Sequence, residues 1–483
     1  MKSVDTISGS PGISGSVFQK PLQAALEHAL AHLDNLDRSS VGTQVALPTL
    51  RARLNRPLGD EGIPGEQVIH DLAADVEDGI IGSAGGRFFA WVIGGSVPSA
   101  LAADWLTAAW DQNAGHHACA PAAAVAEEIA GEWLKEVLGL PARASFALVT
   151  GCQMAHVTCL AAARQSLLAT RGWDVEKQGL YGAPPIRIFC SESRHETFDR
   201  AVRLLGLGLA QVTHLGSDSQ GRIDAAVLEN ALASQGSNPA IILLEAGELN
   251  TGAYDSFETL IPIAKRFNAW VHLDGAFGLW AGASPRYRHL LRGAEQADSW
   301  ATDGHKWLNV PYDCGYAFVA DAEAHRSAMT YQAAYLLEGE AVRDPLDWTP
   351  EWSRRARAFP TYAALRQLGR KGVAEIIERC CRHAHTLVTM IGGLPGAEVV
   401  AEPVINQGLV RFLDAKRGAC DADHDRRTDQ VIAAIVAGGE AYFGGTTVRG
   451  RRVMRVSVCN WQTSDEDVAR VVQAVRRILA GNP

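Results

Sequence analysis

The sequence of 483 residues contains no run of about 18 consecutive apolar residues, so no segment reads as a membrane-spanning helix. The opening MKSVDTISGSPGISGS lacks the apolar core of a signal peptide, and a cytoplasmic protein is expected. There is no C-x-x-C pair, and the nine cysteines are an odd number in a long chain. Neither a disulfide framework nor a cysteine zinc site is expected, and no metal is assigned. A basic tract is also missing: Lys plus Arg is 45, Asp plus Glu is 54, and the net charge is −9. That balance argues against nucleic acid as a partner. No G-x-G-x-x-G follows a strand and no G-x-x-x-x-G-K-[ST] occurs, which disfavours dinucleotide and P-loop folds.

What is present is a folded composition, 47% hydrophobic and 20% charged, with 47 glycines that suit many strand–helix turns. The spacing of apolar residues predicts helices over 18–33 and 63–81, with no strand rhythm in the first 80 residues. The middle alternates. Short apolar runs at 145–150, 185–191, 239–247 and 270–274 read as strands, each of the first three followed by a helical pattern. That is the rhythm of a parallel sheet covered by helices on both faces. Beyond about 326 the rhythm changes to helices over 352–368 and 372–390, strands at 407–414 and 451–460, and a last helix. This is a smaller α+β unit. The expected division is 1–80, a helical segment that clasps a second subunit; 81–325, the large α/β domain; and 326–483, the small domain.

Three features carry chemistry. The first strand–helix junction is Thr150-Gly151-Cys152-Gln153, where free N–H groups at a helix start can hold a phosphate monoester. His272-Leu273-Asp274-Gly275-Ala276 places a carboxylate at the carboxyl end of a buried strand, where ligands collect, on the same side of the pleat as His272. A small residue, Ala276, lies beside it. Lys306, in SWATDGHKW, stands among apolar residues, a setting that tends to strip its proton and make it nucleophilic. An amine nucleophile, a phosphate nest and a buried carboxylate in this order point to pyridoxal 5'-phosphate.

The segments TGCQMA, HLDGAFGLW and DSWATDGHKWLNVP resemble the group II pyridoxal-phosphate-dependent amino acid decarboxylases, from about residue 75 to the end. The resemblance implies fold type I of the aspartate aminotransferases: a mostly parallel seven-stranded sheet between helices, in a homodimer. It implies that Lys306 is the Schiff-base lysine, Asp274 the partner of the pyridine nitrogen, Ala276 the small residue under the ring and His195 the residue stacked above it. Cys152 and Gln153 fall at the phosphate, with Thr150, Gly151, His305 and Ser299 as further contacts. A proton donor on a loop about thirty residues beyond the lysine falls at Tyr335, with Tyr331 left open.

Two departures stand out. Asp303 replaces a neutral residue and is expected to turn away from a phosphate, and Glu248 also replaces a neutral one. The adjacent His116 and His117 line the substrate region by resemblance, with no third metal ligand at suitable spacing. The Arg354–Arg357 segment supports the core. The implied reaction removes carbon dioxide from an L-amino acid, aromatic ones slightly favoured by Trp91 and the histidine pair. A decarboxylating aldehyde synthase, an aminotransferase anchored by Arg455, an aldolase-type lyase and a cofactor-free scaffold remain the alternatives.

Overall fold

The computed structural model describes residues 16–43, 45–330 and 343–481. The chain enters through helix α1 (Gln19–Asn35), which packs against α2 (Gly65–Val76). Pro64 precedes α2, where its fixed φ suits a helix start. The expected helix over 63–81 is shorter: it ends at Val76 and is followed by a single 3₁₀ turn, Glu77–Gly79.

The large sheet has seven strands: β1 (Ser145–Val149), β2 (Arg187–Ser191), β3 (Val212–Leu215), β4 (Ala240–Glu245), β5 (Trp270–Asp274), β6 (Ser299–Asp303) and β7 (Gly315–Val319). Their order is β1-β7-β6-β5-β4-β2-β3. Only β7 runs against its neighbours β1 and β6, so the sheet is mostly parallel as expected. Strands β4 to β7 are buried along their whole length, which is why β4 and β5 read as near-continuous apolar runs. Helix α3 (Cys152–Ala169) leaves β1 and lies across β5, β6 and β7, and α4 (Glu196–Leu204) follows β2. Helix α5 (Ala358–Gly392) is broken at Gly369 (φ 58°), which accounts for the two helices expected there.

A second sheet of four antiparallel strands, β8 (Ala397–Ala401), β9 (Gln407–Phe412), β10 (Gly444–Val448) and β11 (Arg451–Ser457), is ordered β10-β11-β9-β8. Arg354 is buried. Its guanidinium donates to Glu127 Oε2 (2.7 Å) and to the carbonyl of Leu148 in β1, tying the chain after residue 343 to the large sheet. Among the described residues no helix is long and apolar enough to cross a membrane.

Candidate active site

Strands β4, β5 and β6 end on Glu245, Asp274 and Asp303, and all three carboxyl groups face one cavity of about 370 Å³. Parallel strands deliver their last side chains to one edge, and the N-terminus of α3 points into the same space. Of the residues expected from sequence, Gly151, Cys152, Gln153, His195, Asp274, Ala276, His305 and Lys306 line the cavity together. Tyr331 and Tyr335 lie outside the described residues.

Close backbone approach makes the convergence possible. A Cβ on Gly315 of β7 would stand 2.5 Å from Gly151 Cα, and one on Gly94 would stand 2.0 Å from the Lys306 carbonyl oxygen. Only glycine fits at either place. Just before Gly94, Trp91 (φ 57°) and Val92 (φ 70°) hold left-handed backbone conformations, costly for a β-branched residue, and both line the cavity.

Lys306 Nζ lies 3.2 Å from Asp303 Oδ2 and 5.9 Å from the centre of the Phe277 ring. Burial by itself lowers the lysine pKa, but the carboxylates of Asp303 and Asp274 outweigh it and hold the group above its ordinary value. The expectation of a stripped proton is therefore corrected. In this structure Lys306 is an ammonium, because acidic neighbours rather than apolar ones set its charge.

Asp303 does not turn away. Its Oδ1 accepts the Cys152 N–H (2.6 Å) at the first turn of α3 and lies 3.4 Å from His305 Nε2. A helix N-terminus, an imidazole and an ammonium all favour an anion at this point. His305 accepts the Cys314 N–H at Nδ1 (3.1 Å), which leaves its Nε2–H for Asp303, and its ring stacks on Tyr312 at 4.2 Å. Replacing Asp303 with Asn leaves burial of Lys306 with less opposition. Its pKa should fall, and acylation of Lys306 at pH 7 should quicken about tenfold for each unit lost. An unchanged rate profile, read by peptide mapping against pH, would remove Asp303 from this role.

Asp274 accepts from the Ala276 N–H (3.0 Å), from the Cys152 thiol (3.8 Å) and from His156, whose Nε2 lies 3.3 Å away. Burial pushes this carboxyl up, yet the imidazoles of His156 and His195 and the Ala276 N–H more than reverse that. Asp274 is held well below the usual carboxylate range. His195 caps α4. Its Nδ1 accepts the Thr197 N–H (3.3 Å) and lies 2.7 Å from Thr197 Oγ1, and its ring is exposed to the cavity.

Two expected contacts are not part of the cavity wall. Thr150 stops one residue short of it. Ser299 begins β6, at the far end of the strand from Asp303, and is fully buried against Trp270 and His272. Glu248 has a local explanation: its Oε2 accepts the N–H groups of Asn250 (2.8 Å) and Thr251 (2.6 Å) and closes a turn. His116 and His117 do share a third group that spacing did not reveal. Their rings stack in a turn beside Asp344, with His117 Nδ1 at 2.7 Å and His116 Nε2 at 3.6 Å from its oxygens.

Sequence reasoning missed His156, although its spacing of four from Cys152 on one helix puts both on the same face. It also missed Glu245, which sits in register beside Asp274. Burial pushes the Glu245 carboxyl well up, with Asp255, Glu248 and Asp274 adding to the shift, so it is a neutral acid in the cavity wall.

Residues 48–413 match the family described as the pyridoxal-dependent decarboxylase conserved domain. The chain is 25% identical over 468 residues to an aromatic-L-amino-acid decarboxylase of Bacillus atrophaeus, covering 94% of each chain. It is 28% identical over 497 residues to tryptophan decarboxylase 1 of Oryza sativa subsp. japonica, covering 95% of each. In fold it superposes on the crystal structure of Oryza sativa TDC with PLP and tryptamine, with a TM-score of 0.91 at 23% identity, over 98% of this chain and 99% of the other. A match over most of the chain, on a fold type I framework, settles the family: the protein is a pyridoxal-phosphate-dependent amino acid decarboxylase.

Proposed function

We propose that the enzyme decarboxylates an L-amino acid with an aromatic side chain, and that Lys306, Asp274 and His195 carry the chemistry. The observation behind this reading is the charge of the cavity wall. Among the described residues Lys306 is its sole lysine or arginine, while Asp274, Asp303 and Glu245 are all acids. An acidic substrate side chain would meet no spare cation there. The apolar part of the wall is Trp91, Val92, Ile93, Leu249, Phe277 and Tyr312, suited to a flat apolar group. The two relatives act, by name, on aromatic amino acids and tryptophan.

The residues present fit the cofactor. Lys306 offers an amine to its aldehyde. Asp274, held as an anion, suits a protonated ring nitrogen. The exposed His195 ring and the small Ala276 leave room for a plane between them, and the α3 N-terminus, whose Cys152 N–H is held by Asp303, offers its next N–H, that of Gln153, to a phosphate. Bound pyridoxal phosphate supplies the electron sink that accepts the pair left behind when carbon dioxide departs. Lys306 first gives up its ion pair with Asp303, and the released carboxylate then stays on the Cys152 N–H and His305. Asp274 keeps a proton at the ring nitrogen, and the apolar side chains of the wall limit water at the reacting carbon.

The apolar face of α1, with Leu22, Leu26 and Leu30 exposed and Phe18 just before it, together with Val68 and Leu72 of α2, supports a homodimer in which a second copy covers these helices.

The test is to offer the holoenzyme phenylalanine, tyrosine, tryptophan and glutamate, and to measure carbon dioxide, amine, aldehyde and ammonia together. Amine and carbon dioxide in equal amounts from the aromatic substrates, with glutamate at least about 100-fold poorer in kcat/KM, is the expected result. Comparable turnover of glutamate would overturn the aromatic reading. Aldehyde with ammonia would replace the amine-forming outcome.

A further inference from the structure

Behind Asp274 lies a row of buried polar side chains that the reaction above does not use. His156 Nε2 is 3.3 Å from Asp274 Oδ2, and His156 Nδ1 is 2.8 Å from His272 Nε2. His272 Nδ1 is 2.8 Å from Ser299 Oγ, which in turn accepts the Trp270 indole N–H at 2.9 Å. His156, His272 and Ser299 are each 0% exposed. Phe198 covers the two imidazoles, edge-on to His156 at 6.0 Å and stacked on His272 at 6.4 Å. The row joins α3, β5 and β6, three separate elements, and the catalytic edge of the sheet stands at one end of it.

The ends fix its direction. An indole N–H can only donate, and an ionised carboxylate can only accept. Burial pulls the His272 pKa down to about 3, so this ring is neutral and carries one N–H. If that hydrogen is on Nε2, Ser299 donates to His272, His272 donates to His156, and His156 donates its Nε2–H to Asp274. If it is on Nδ1 instead, His156 must donate backwards to His272. A neutral His156 would then point a bare lone pair at the carboxylate. With both imidazoles neutral, the first arrangement satisfies every group and leaves the Asp274 carboxylate as the one charge in the row.

We propose that His156, oriented by His272 and Ser299, is a positioning residue that keeps the Asp274 carboxylate ionised and fixed in the cavity wall, and through it sets the protonation of the cofactor's ring nitrogen. The proposal rests on Asp274 serving that nitrogen. Other titratable groups also face Asp274: Cys152 from α3, His195 from the start of α4, Glu245 from β4, and Asp303 and Lys306 from the end of β6. Cys152 and Glu245 stay protonated through burial, and the Cys152 thiol is a weak donor at 3.8 Å. His195 and Lys306 belong to the substrate side and change partners when the cofactor binds. His156 is the donor that stays in place.

The test uses His156→Leu, His156→Gln and Ser299→Ala in the full-length enzyme, each with two readouts. Infrared difference spectra of the cofactor-free protein report whether Asp274 is a carboxylate or a carboxylic acid, assigned against Asp274→Asn. The ¹⁵N resonance of ring-labelled cofactor in the holoenzyme reports protonation at the nitrogen. His156→Leu should show a carboxylic acid band at pH 7, move the ¹⁵N resonance toward the unprotonated position and lower kcat about 10- to 100-fold, with KM changing much less. Glutamine keeps an N–H donor in reach and should restore most of the infrared and ¹⁵N signals. Ser299→Ala should give a smaller change in the same direction. If Leu fails to fold, Gln and Ala carry the comparison.

In an Asp274→Asn background His156→Leu should move the ¹⁵N resonance no further. A ¹⁵N shift with Asp274→Asn but none with His156→Leu or Ser299→Ala overturns the proposal. No ¹⁵N shift with Asp274→Asn overturns the role given to Asp274 itself.

Discussion

Lys306→Ala should abolish amine formation, by about 10⁴-fold or more, the upper end of what one positioned acid, base or nucleophile contributes. Borohydride added to the wild-type holoenzyme should fix the cofactor to the peptide containing Lys306, and the variant should take up no label. Lys306→Arg should be equally inactive. It restores a positive charge beside Asp303, but a planar guanidinium with a pKa above 12 cannot become the free amine the chemistry needs. The pair of variants thus separates nucleophilicity from charge. A small primary amine such as methylamine should restore part of the activity of Lys306→Ala, because it can take the space that the lysine side chain vacates in the cavity wall. Lys135, another buried lysine, donates to the carbonyls of Ala142 (2.7 Å) and Ala144 (2.9 Å) and does not face the cavity, so it offers no substitute. Label on any lysine but Lys306, or a near wild-type rate in Lys306→Ala, would end the assignment.

The parts of the site that were legible in the sequence are those whose signal is local. Asp274 closes the apolar run WVHLD, and a strand that is buried on both faces is written in its composition. His195 follows a strand and opens a helix, and the structure finds it capping that helix. Two of the unread strands had a different character. β3 is an edge strand with three of its four residues short of full burial, so VTHL lacks an apolar run. β6, SWATD, mixes serine, threonine and aspartate with Trp300 because its neighbours and α3, not its own composition, bury it.

The errors about charge have the same origin. Lys306 looked apolar in the linear sequence, but Asp274 approaches it from another strand, and Asp303, three residues away, folds back onto it. Ser299 lies seven residues before Lys306, which reads as proximity. A strand rises about 3.3 Å per residue, however, and carries Ser299 to the opposite end of β6. Adjacent side chains in a strand point to opposite faces, so the linear sequence hides a partner shared by His116 and His117. In a turn adjacent side chains can converge, and both reach Asp344, more than two hundred residues away.

Asp274→Asn should fold, bind cofactor and lose turnover by about 10²- to 10⁴-fold, the range for loss of a group that holds a proton in the transition state. The side chain keeps its size, so the effect is one of charge and of donor–acceptor match. Around this position His156 Nε2–H, the Ala276 N–H and the Cys152 thiol all supply donors. A carboxylate accepts from all of them. An amide has one accepting oxygen, and its NH₂ must face a donor in either orientation. That leaves an unmatched buried group at a cost of about 1–3 kcal/mol. Thermal unfolding should therefore show a modest loss, while activity shows a large one. The two effects can be separated by reconstituting the variant with an N-methylated cofactor, whose ring nitrogen is permanently cationic. If Asp274 acts by keeping that nitrogen positive, the methylated cofactor should recover much of the lost turnover in Asp274→Asn without changing its unfolding temperature. A variant that works at the wild-type rate with the ordinary cofactor would show that the buried carboxylate serves the fold alone. If the methylated cofactor gives no recovery, Asp274 would instead act by orienting the ring through its hydrogen bond.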